Sequence, residues 1–232
     1  ILANLYDGLT EFDEESRVVP ALASEWRNPD ERTWVFRLRP GVVFHDGRPL
    51  TARDVLFSLD RARHHSGSGL ASYLVEVETV RSTDASTIEI RTRRPFAALL
   101  AKLTAIAIVP ASSPAEIVEP VGTGSYRLAR TTAEVVELVP AENGWRRGPL
   151  LPVTFVADGD PRRRLERLLA GQVDIATDLA EDAAERLEGS ECCRVIAQPG
   201  STVEYLRLSA AAAPFRDRRV RQAIDLALDR AA

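Results

Sequence analysis

Hydrophobic and polar positions alternate in parts of the first hundred residues, a pattern typical of β-strands with one buried face. Trp34, Phe36 and Leu38 alternate with mostly basic positions, so residues 33–39 are predicted to form such a strand. The Asp46-Gly47 pair predicts a tight turn, because glycine accepts the positive φ that such turns need. Similar patterns predict further strands at 42–44, 75–80 and 87–92.

Apolar residues spaced three and four positions apart predict helices in other segments. Thr51 and Asp54 have the spacing of a capping box, so a helix is predicted to begin at Thr51. The Asp160-Pro161 pair predicts another helix start, since proline suits the first helical turn. Gly171 is expected to end that helix. Helical spacing also occurs over residues 95–105 and from Asp217 onward.

The second half of the chain adds more strand patterns, so the predicted fold class is α/β in the mixed α+β sense. Pro110 and Pro114 interrupt residues 106–119, and their backbone cannot continue a helix. This segment is the best internal boundary that the sequence offers. Strands are predicted at 126–130, 134–140, 152–157, 173–176 and 202–208.

The charge pattern excludes some partners. Thirty-four acidic and 30 basic side chains give a formal net charge of −4 and are spread along the chain. No single-sign block offers a surface to nucleic acid or to an anionic membrane. No stretch approaches the roughly 20 apolar residues that span a bilayer, and the first residues lack a signal peptide pattern. Any export signal is therefore expected upstream of this chain.

Candidate chemical residues are few, which favours a protein that is not an enzyme. Cys192 and Cys193 are predicted to be inert thiols, because neighbouring residues rarely reach good disulfide geometry. His45 is a lone histidine beside a glycine turn and lacks the convergent ligands of a metal site. Gly122-Thr-Gly124 is too short for a nucleotide fingerprint. Its glycines more simply allow close passage of the backbone.

Seven segments follow one another in a recognisable order: Leu5-Tyr-Asp-Gly-Leu9, Pro20–Trp26, Trp34–Gly47, Pro49–Val55, Gly122-Thr-Gly124, Leu169–Ala176 and Pro214–Ile224. In this order and spacing they resemble one family, the large peptide and nickel class of solute-binding proteins that serve ABC importers. The match covers nearly the whole chain, and its order makes coincidence improbable.

The resemblance implies a periplasmic-binding-protein-like lobe of two subdomains. Residues 1–18 and 110–210 would form the core subdomain of this first lobe, with residues 19–109 inserted as the second subdomain. Residues 211–232 would begin the crossover helix into a second lobe, which is largely missing because the chain stops within that helix. Family members close two lobes around a ligand, so this chain is expected to bind free ligand only weakly.

The resemblance also implies the substrate-binding component of an ABC importer, which captures oligopeptides or similar solutes and delivers them to a membrane permease. A nickel or metal-chelate binder of the same family, or the sensing module of a transcriptional regulator, is the alternative. An extracytoplasmic, lipid-anchored monomer without cofactor, metal or nucleic acid is expected. The residues expected to face the cleft are Asn4, Tyr6, Asp7, Thr202, Glu204 and Tyr205.

Overall fold

The computed structural model describes residues 1–65, 68–146, 148–180, 182–187, 190, 192–196 and 205–228. The chain divides into two compact units, Ile1–Gly159 and Asp160–Ala232. The first contains the strands β1 Thr10–Phe12, β2 Val18–Pro20, β3 Ala23–Asp30, β4 Thr33–Leu38, β5 Val77–Asp84, β6 Thr87–Thr92, β7 Tyr126–Thr131, β8 Val135–Pro140 and β9 Val153–Val156. The helices are α1 Leu2–Leu5, α2 Ala52–His64, a 3₁₀ helix Gly69–Leu74, α3 Leu99–Leu103, α4 Pro161–Leu169, α5 Ala183–Leu187 and α6 Arg218–Ala227.

An antiparallel four-stranded sheet in the order β3-β4-β6-β5 carries the main core. The predicted alternation in β4 is confirmed, since Trp34, Phe36 and Leu38 are all buried. Phe36 pairs with Ile88 of β6, and both side chains are fully buried. Helix α2 contributes its buried apolar residues to the same core, because its helical spacing places them on one face.

The turn and the helix start that follow β4 are confirmed. Gly47 has φ +84°, and the turn is closed by a 2.8 Å bond from the Phe44 amide to the Arg48 carbonyl. Asp54 accepts bonds from the Thr51 amide and hydroxyl at 2.9 and 2.6 Å, which caps α2. The strand expected at 42–44 is reduced to a single bridge between Val43 and Pro49, because the turn comes too soon for a longer ladder.

A second antiparallel sheet, β7-β8-β9, follows the proline-containing connection. Its three strands match the alternating segments predicted from the sequence. The helix expected over residues 95–105 is shorter and covers Leu99–Leu103. The Leu99 amide bonds to the Phe96 carbonyl at 3.1 Å, a tighter turn that delays regular helical bonding.

The second unit is built around α4 and α5, whose small core contains Leu165, Ala183 and Leu187. The helix start is confirmed, since the Asp160 side chain accepts a bond from the Arg162 amide. Gly171, after the end of α4, has φ +65°. Asp217 caps α6 in the same way through the Arg219 amide.

Two strand predictions in this unit fail where the structure describes them. Residues 173–176 are all described and form no strand. Ile175 is 80% exposed, so its side chain does not reach a core formed by the described residues. In the segment predicted as a strand at 202–208, residues 202–204 lie outside the described residues. Residues 205–208 are irregular.

The expectation for the adjacent cysteines is wrong. Cys192 and Cys193 form a disulfide between neighbouring residues, with their Cα atoms 3.8 Å apart. The sequence-based expectation was that the intervening peptide would keep the sulfur atoms separate. The Ser190 hydroxyl lies 3.0 Å from the Cys192 sulfur.

Candidate ligand-binding site

A cavity of about 510 Å³ opens in the first unit. One wall is the start of the chain, a second is the C-terminal half of α2, and a third is the stretch that follows α3. The lining combines apolar surface with polar side chains, as small-molecule sites do. The polar side chains in the lining are Tyr6, Asp7, Thr10, Glu11, Ser58, Arg61, His65, Ser68 and Thr104.

Tyr6 lines this cavity with its ring half-buried. Burial raises the pKa of the Tyr6 hydroxyl, and the nearby Arg61 guanidinium opposes this more weakly. The hydroxyl is therefore protonated at neutral pH and can both donate and accept a hydrogen bond. Among the described residues it has no hydrogen-bond partner, so it remains available to a ligand.

Asp7 lies on the same wall, but its carboxylate is already engaged. One oxygen accepts bonds from the Thr123 hydroxyl at 2.8 Å and the Trp145 indole N–H at 3.0 Å. The other is 3.4 Å from the Arg146 guanidinium. The side chain is only 8% exposed. Asp7 therefore joins three segments of the chain, and little of its hydrogen-bonding capacity remains for a ligand.

Two cations lie over the ring of Trp145. The guanidinium of Arg39 lies 4.6 Å from the centre of the indole ring and that of Arg146 lies 4.3 Å from it, within the range of cation–π contacts. Arg146 also forms an ion pair with Glu11. These contacts keep the indole N–H directed at Asp7.

The Gly122-Thr-Gly124 segment packs against the start of the chain. A Cβ atom at Gly122 would overlap the Leu5 carbonyl, and one at Gly124 would overlap the Asn4 carbonyl. The Gly124 amide donates a 3.0 Å bond to the Leu5 carbonyl. The predicted close passage of the backbone is confirmed, and glycine is required at both positions because no side chain fits there.

His45 forms hydrogen bonds to this glycine segment. Its Nδ1 accepts a 3.2 Å bond from the Gly122 amide, and its Nε2–H donates a 3.0 Å bond to the Gly124 carbonyl. Burial lowers the pKa of His45, more than the Gly124 carbonyl and the nearby Asp7 raise it. Both ring nitrogens are thus used in a neutral imidazole, which leaves neither one for a metal.

Helix α2 contributes cavity residues that sequence reasoning missed. Ser58, Arg61 and Ala62 of α2 and His65 directly after its end all line the cavity, and their spacing of three, four and seven positions places them on one side of the helix. Arg61 donates to the Pro114 and Ala115 carbonyls, and His65 bonds to the Ala115 carbonyl at 2.9 Å. The helical spacing was the available signal, but sequence alone did not show that this face borders a cavity.

The predicted site residues are only partly brought together. Tyr6 and Asp7 line the cavity, whereas the neighbouring Asn4 is half-buried outside its lining. Tyr205 is 80% exposed in the second unit. Thr202 and Glu204 lie outside the described residues.

The described part of the chain contains no cluster of three or more histidine, cysteine, aspartate or glutamate side chains that could hold a metal ion. None of its helices has both the length and the apolar character needed to cross a bilayer.

The family model described as bacterial extracellular solute-binding proteins, family 5 Middle, matches residues 17–232. The chain belongs to this family. The resemblance inferred from the seven sequence segments is confirmed.

Individual family 5 relatives agree with this assignment. The glutathione-binding protein GsiB of Pectobacterium atrosepticum is 28% identical over 243 residues, which are 99% of this chain and 47% of GsiB. A nickel ABC transporter structure from Bacillus halodurans gives a TM-score of 0.78 at 29% identity and covers 98% of this chain and 48% of that one. The chain therefore spans about half the length of these relatives.

The fold class is also confirmed by comparison. NikZ from Campylobacter jejuni, solved in complex with Ni(L-His), superposes with a TM-score of 0.88 at 22% identity. The match covers 99% of this chain and 48% of NikZ. The chain thus has the mixed α/β fold of part of a periplasmic binding protein.

Proposed function

We propose that this chain is part of the substrate-binding component of an ABC importer, which captures oligopeptides or similar solutes between two lobes and delivers them to a membrane permease. Membership of family 5 carries the proposal. The relative GsiB, named for binding glutathione, supports a peptide ligand because glutathione is a tripeptide. The protein would act outside the cytoplasm as a lipid-anchored monomer, with no enzymatic step.

The cavity supports a mode of binding that depends little on ligand charge. Of its charged lining residues, Asp7, Glu11 and Arg61 already have partners within the chain. The free Tyr6 hydroxyl and the apolar surface remain for the ligand. Such a wall suits solutes with varied side chains, because it offers hydrogen bonding without a fixed charge requirement.

We propose that the cleft residues contribute unequally. Tyr6 would contact the ligand directly, and Asp7 would position Tyr6 and the glycine segment. Asn4, Thr202, Glu204 and Tyr205 remain candidates by resemblance alone. The division into residues 1–18 with 110–210, inserted residues 19–109 and a crossover helix from residue 211 likewise remains a proposal.

A second candidate is a nickel-chelate binder, favoured by the 29% identity to the Bacillus halodurans nickel transporter structure. The described residues contain no metal-binding cluster. Nickel would therefore contact this half of the protein through the organic part of a chelate, with Tyr6 bonding to the chelator.

Isothermal titration of the protein that carries this chain tests both candidates. Trialanine, glutathione and nickel–histidine would be titrated separately at pH 7.5. Heat with a peptide supports the proposed function, and heat with nickel–histidine alone supports the second candidate. No heat with any of the three would contradict both.

A matched pair of variants links binding to the cavity. Tyr6→Phe removes one hydroxyl and is expected to weaken binding about threefold to tenfold, the value of one neutral hydrogen bond. Tyr126→Phe removes a hydroxyl outside the cavity lining and should leave the affinity unchanged. Equal effects of the two variants would remove Tyr6 from the site.

A further inference from the structure

His45 forms three hydrogen bonds to a single short segment. Besides the two ring bonds to Gly122 and Gly124, its amide donates a 2.8 Å bond to the Gly122 carbonyl. The turn that carries His45 is itself closed by the Gly47 amide, 2.9 Å from the Phe44 carbonyl. The imidazole is thus held by a rigid turn against the glycine segment.

The two ring bonds require a neutral imidazole. Nδ1 acts as an acceptor and Nε2–H acts as a donor. Protonation would convert Nδ1 into a second donor. Two N–H groups would then face each other at the present 3.2 Å separation of the Gly122 nitrogen and Nδ1, and that bond would be replaced by repulsion.

Charges around the ring partly balance. Asp7 from the start of the chain and Asp46 from the turn favour the protonated form, whereas Arg127 from β7 disfavours it. Burial is the dominant influence and also disfavours protonation. The lowered pKa of His45 means that the folded chain binds this proton less readily than the unfolded chain.

The glycine segment connects the histidine with the ligand cavity. The Gly124 amide bonds to the Leu5 carbonyl at 3.0 Å, and Gly122 lies against the Tyr6 ring. The intervening Thr123 hydroxyl donates to Asp7 at 2.8 Å. A change in the position of this segment would therefore move two residues of the cavity wall.

We propose that His45 is a positioning residue that holds the Gly122–Gly124 segment against the Tyr6 wall when it is neutral and releases the segment when it is protonated. Ligand capture would consequently weaken in acid. The effect on ligand binding rests on the proposed function, whereas the release of the segment does not.

The direction of the pH effect follows from the linkage between protonation and folding. A histidine whose pKa is lowered by folding stabilises the fold fully above its unfolded pKa of about 6.5. That stability is lost as the pH falls below this value toward the folded pKa. Release is therefore expected in mildly acidic solution and is absent at pH 7.5.

Hydrogen exchange on the full chain tests the release directly. Peptides covering residues 1–9 and 119–126 would be followed from pH 7.5 to 5.0, with correction for the intrinsic pH dependence of exchange. The wild type is expected to lose protection in acid, whereas His45→Gln, which cannot titrate, should show no such step. A step of equal size in both proteins, or no step in the wild type, would overturn the proposal.

Two controls keep this test decisive. His64→Gln replaces an exposed histidine outside the cavity lining and should retain the wild-type step. If His45→Gln does not fold, His45→Asn takes its place. NMR titration of the wild type must also place the pKa of His45 below the ordinary histidine value of about 6.5, and a value above it contradicts the proposal.

Ligand titration then separates the two claims. The peptide that binds at pH 7.5 would be titrated again at pH 5.0. The affinity of the wild type for the peptide is expected to fall about tenfold, a factor typical of coupled sites. The affinity of His45→Gln is expected to fall less than about twofold, since its side chain cannot titrate. Ionisation of the peptide affects both proteins equally and cancels. An equal loss of affinity in both proteins would contradict the coupling between His45 and the cavity. If no peptide binds at pH 7.5, the proposed function is contradicted. The hydrogen-exchange result then still decides whether protonation releases the Gly122–Gly124 segment.

Discussion

At the scale of single residues, one carboxylate organises much of the cavity wall. Asp7 accepts hydrogen bonds from Thr123 and Trp145 and pairs with Arg146. These partners lie more than 100 positions away along the chain. Low exposure strengthens such contacts, because water competes for them less.

Asp7→Asn is expected to lower the free energy of unfolding by about 2 kcal/mol, since the amide cannot serve all three donors and leaves one unsatisfied. Urea denaturation at pH 7.5 measures the loss. Asp60→Asn is the control, because the Asp60 side chain is 73% exposed and exposed ion pairs contribute little. Equal losses would show that the Asp7 contacts do not stabilise the fold.

The depressed pKa of His45 predicts a pH dependence of stability. The wild type should lose stability between about pH 6.5 and 5.0, and His45→Gln should lose less over the same interval. The acidic groups add a common background, so the difference between the two proteins is the quantity of interest. Thermal unfolding followed by circular dichroism measures this difference at each pH. If the stabilities of the two proteins fall in parallel with pH, the neutral state of the His45 imidazole is contradicted.

At the scale of elements, the glycine segment depends on close backbone contact. Gly122→Ala is expected to destabilise the chain by about 3 kcal/mol, since the new methyl group would overlap the Leu5 carbonyl and crowd the Tyr6 ring. Gly69→Ala is the matched control, because its Cβ meets nothing within 4 Å. Urea denaturation compares them, and equal stability of the two variants would refute the close contact.

Elements with local signals were predictable from the sequence. Strand β4 was predictable from its alternating apolar and polar residues, and the start of α2 was predictable from Thr51 and Asp54. Both signals involve residues within a few positions of one another. The predicted strand at 173–176 failed because Ile175 is exposed and not packed among the described residues, which only the tertiary structure reveals. The disulfide between Cys192 and Cys193 was missed for a similar reason, since the sequence does not show how the side chains of two neighbouring residues are oriented.

The candidate site was predictable only in part. Tyr6 and Asp7 were found through the family motif at residues 5–9. Ser58, Arg61 and His65 were missed, because their role depends on which face of α2 borders the cavity. The contacts of Asp7 with Thr123 and Trp145 span more than 100 positions, and no local pattern reports such pairs.

At the scale of the whole molecule, the first unit has the features of an independent fold. The main apolar core lies entirely within residues 1–159, together with the β3-β4-β6-β5 sheet, the β7-β8-β9 sheet and the cavity. Residues 1–159 expressed alone are expected to unfold cooperatively, because they form one compact unit and compact single domains usually unfold in one step. Thermal unfolding by circular dichroism checks this, and a gradual, non-cooperative loss of signal would contradict it.

We propose that the protein carrying this chain serves peptide import through an ABC transporter, and uptake of radiolabelled trialanine and glutathione by cells of the encoding organism, with and without the gene, tests this most directly. Deletion is expected to abolish uptake of at least one peptide, and the intact gene is expected to restore it. A Tyr6→Phe copy is expected to restore uptake less well at low peptide concentration. Unchanged uptake of both peptides after deletion would contradict the proposed function.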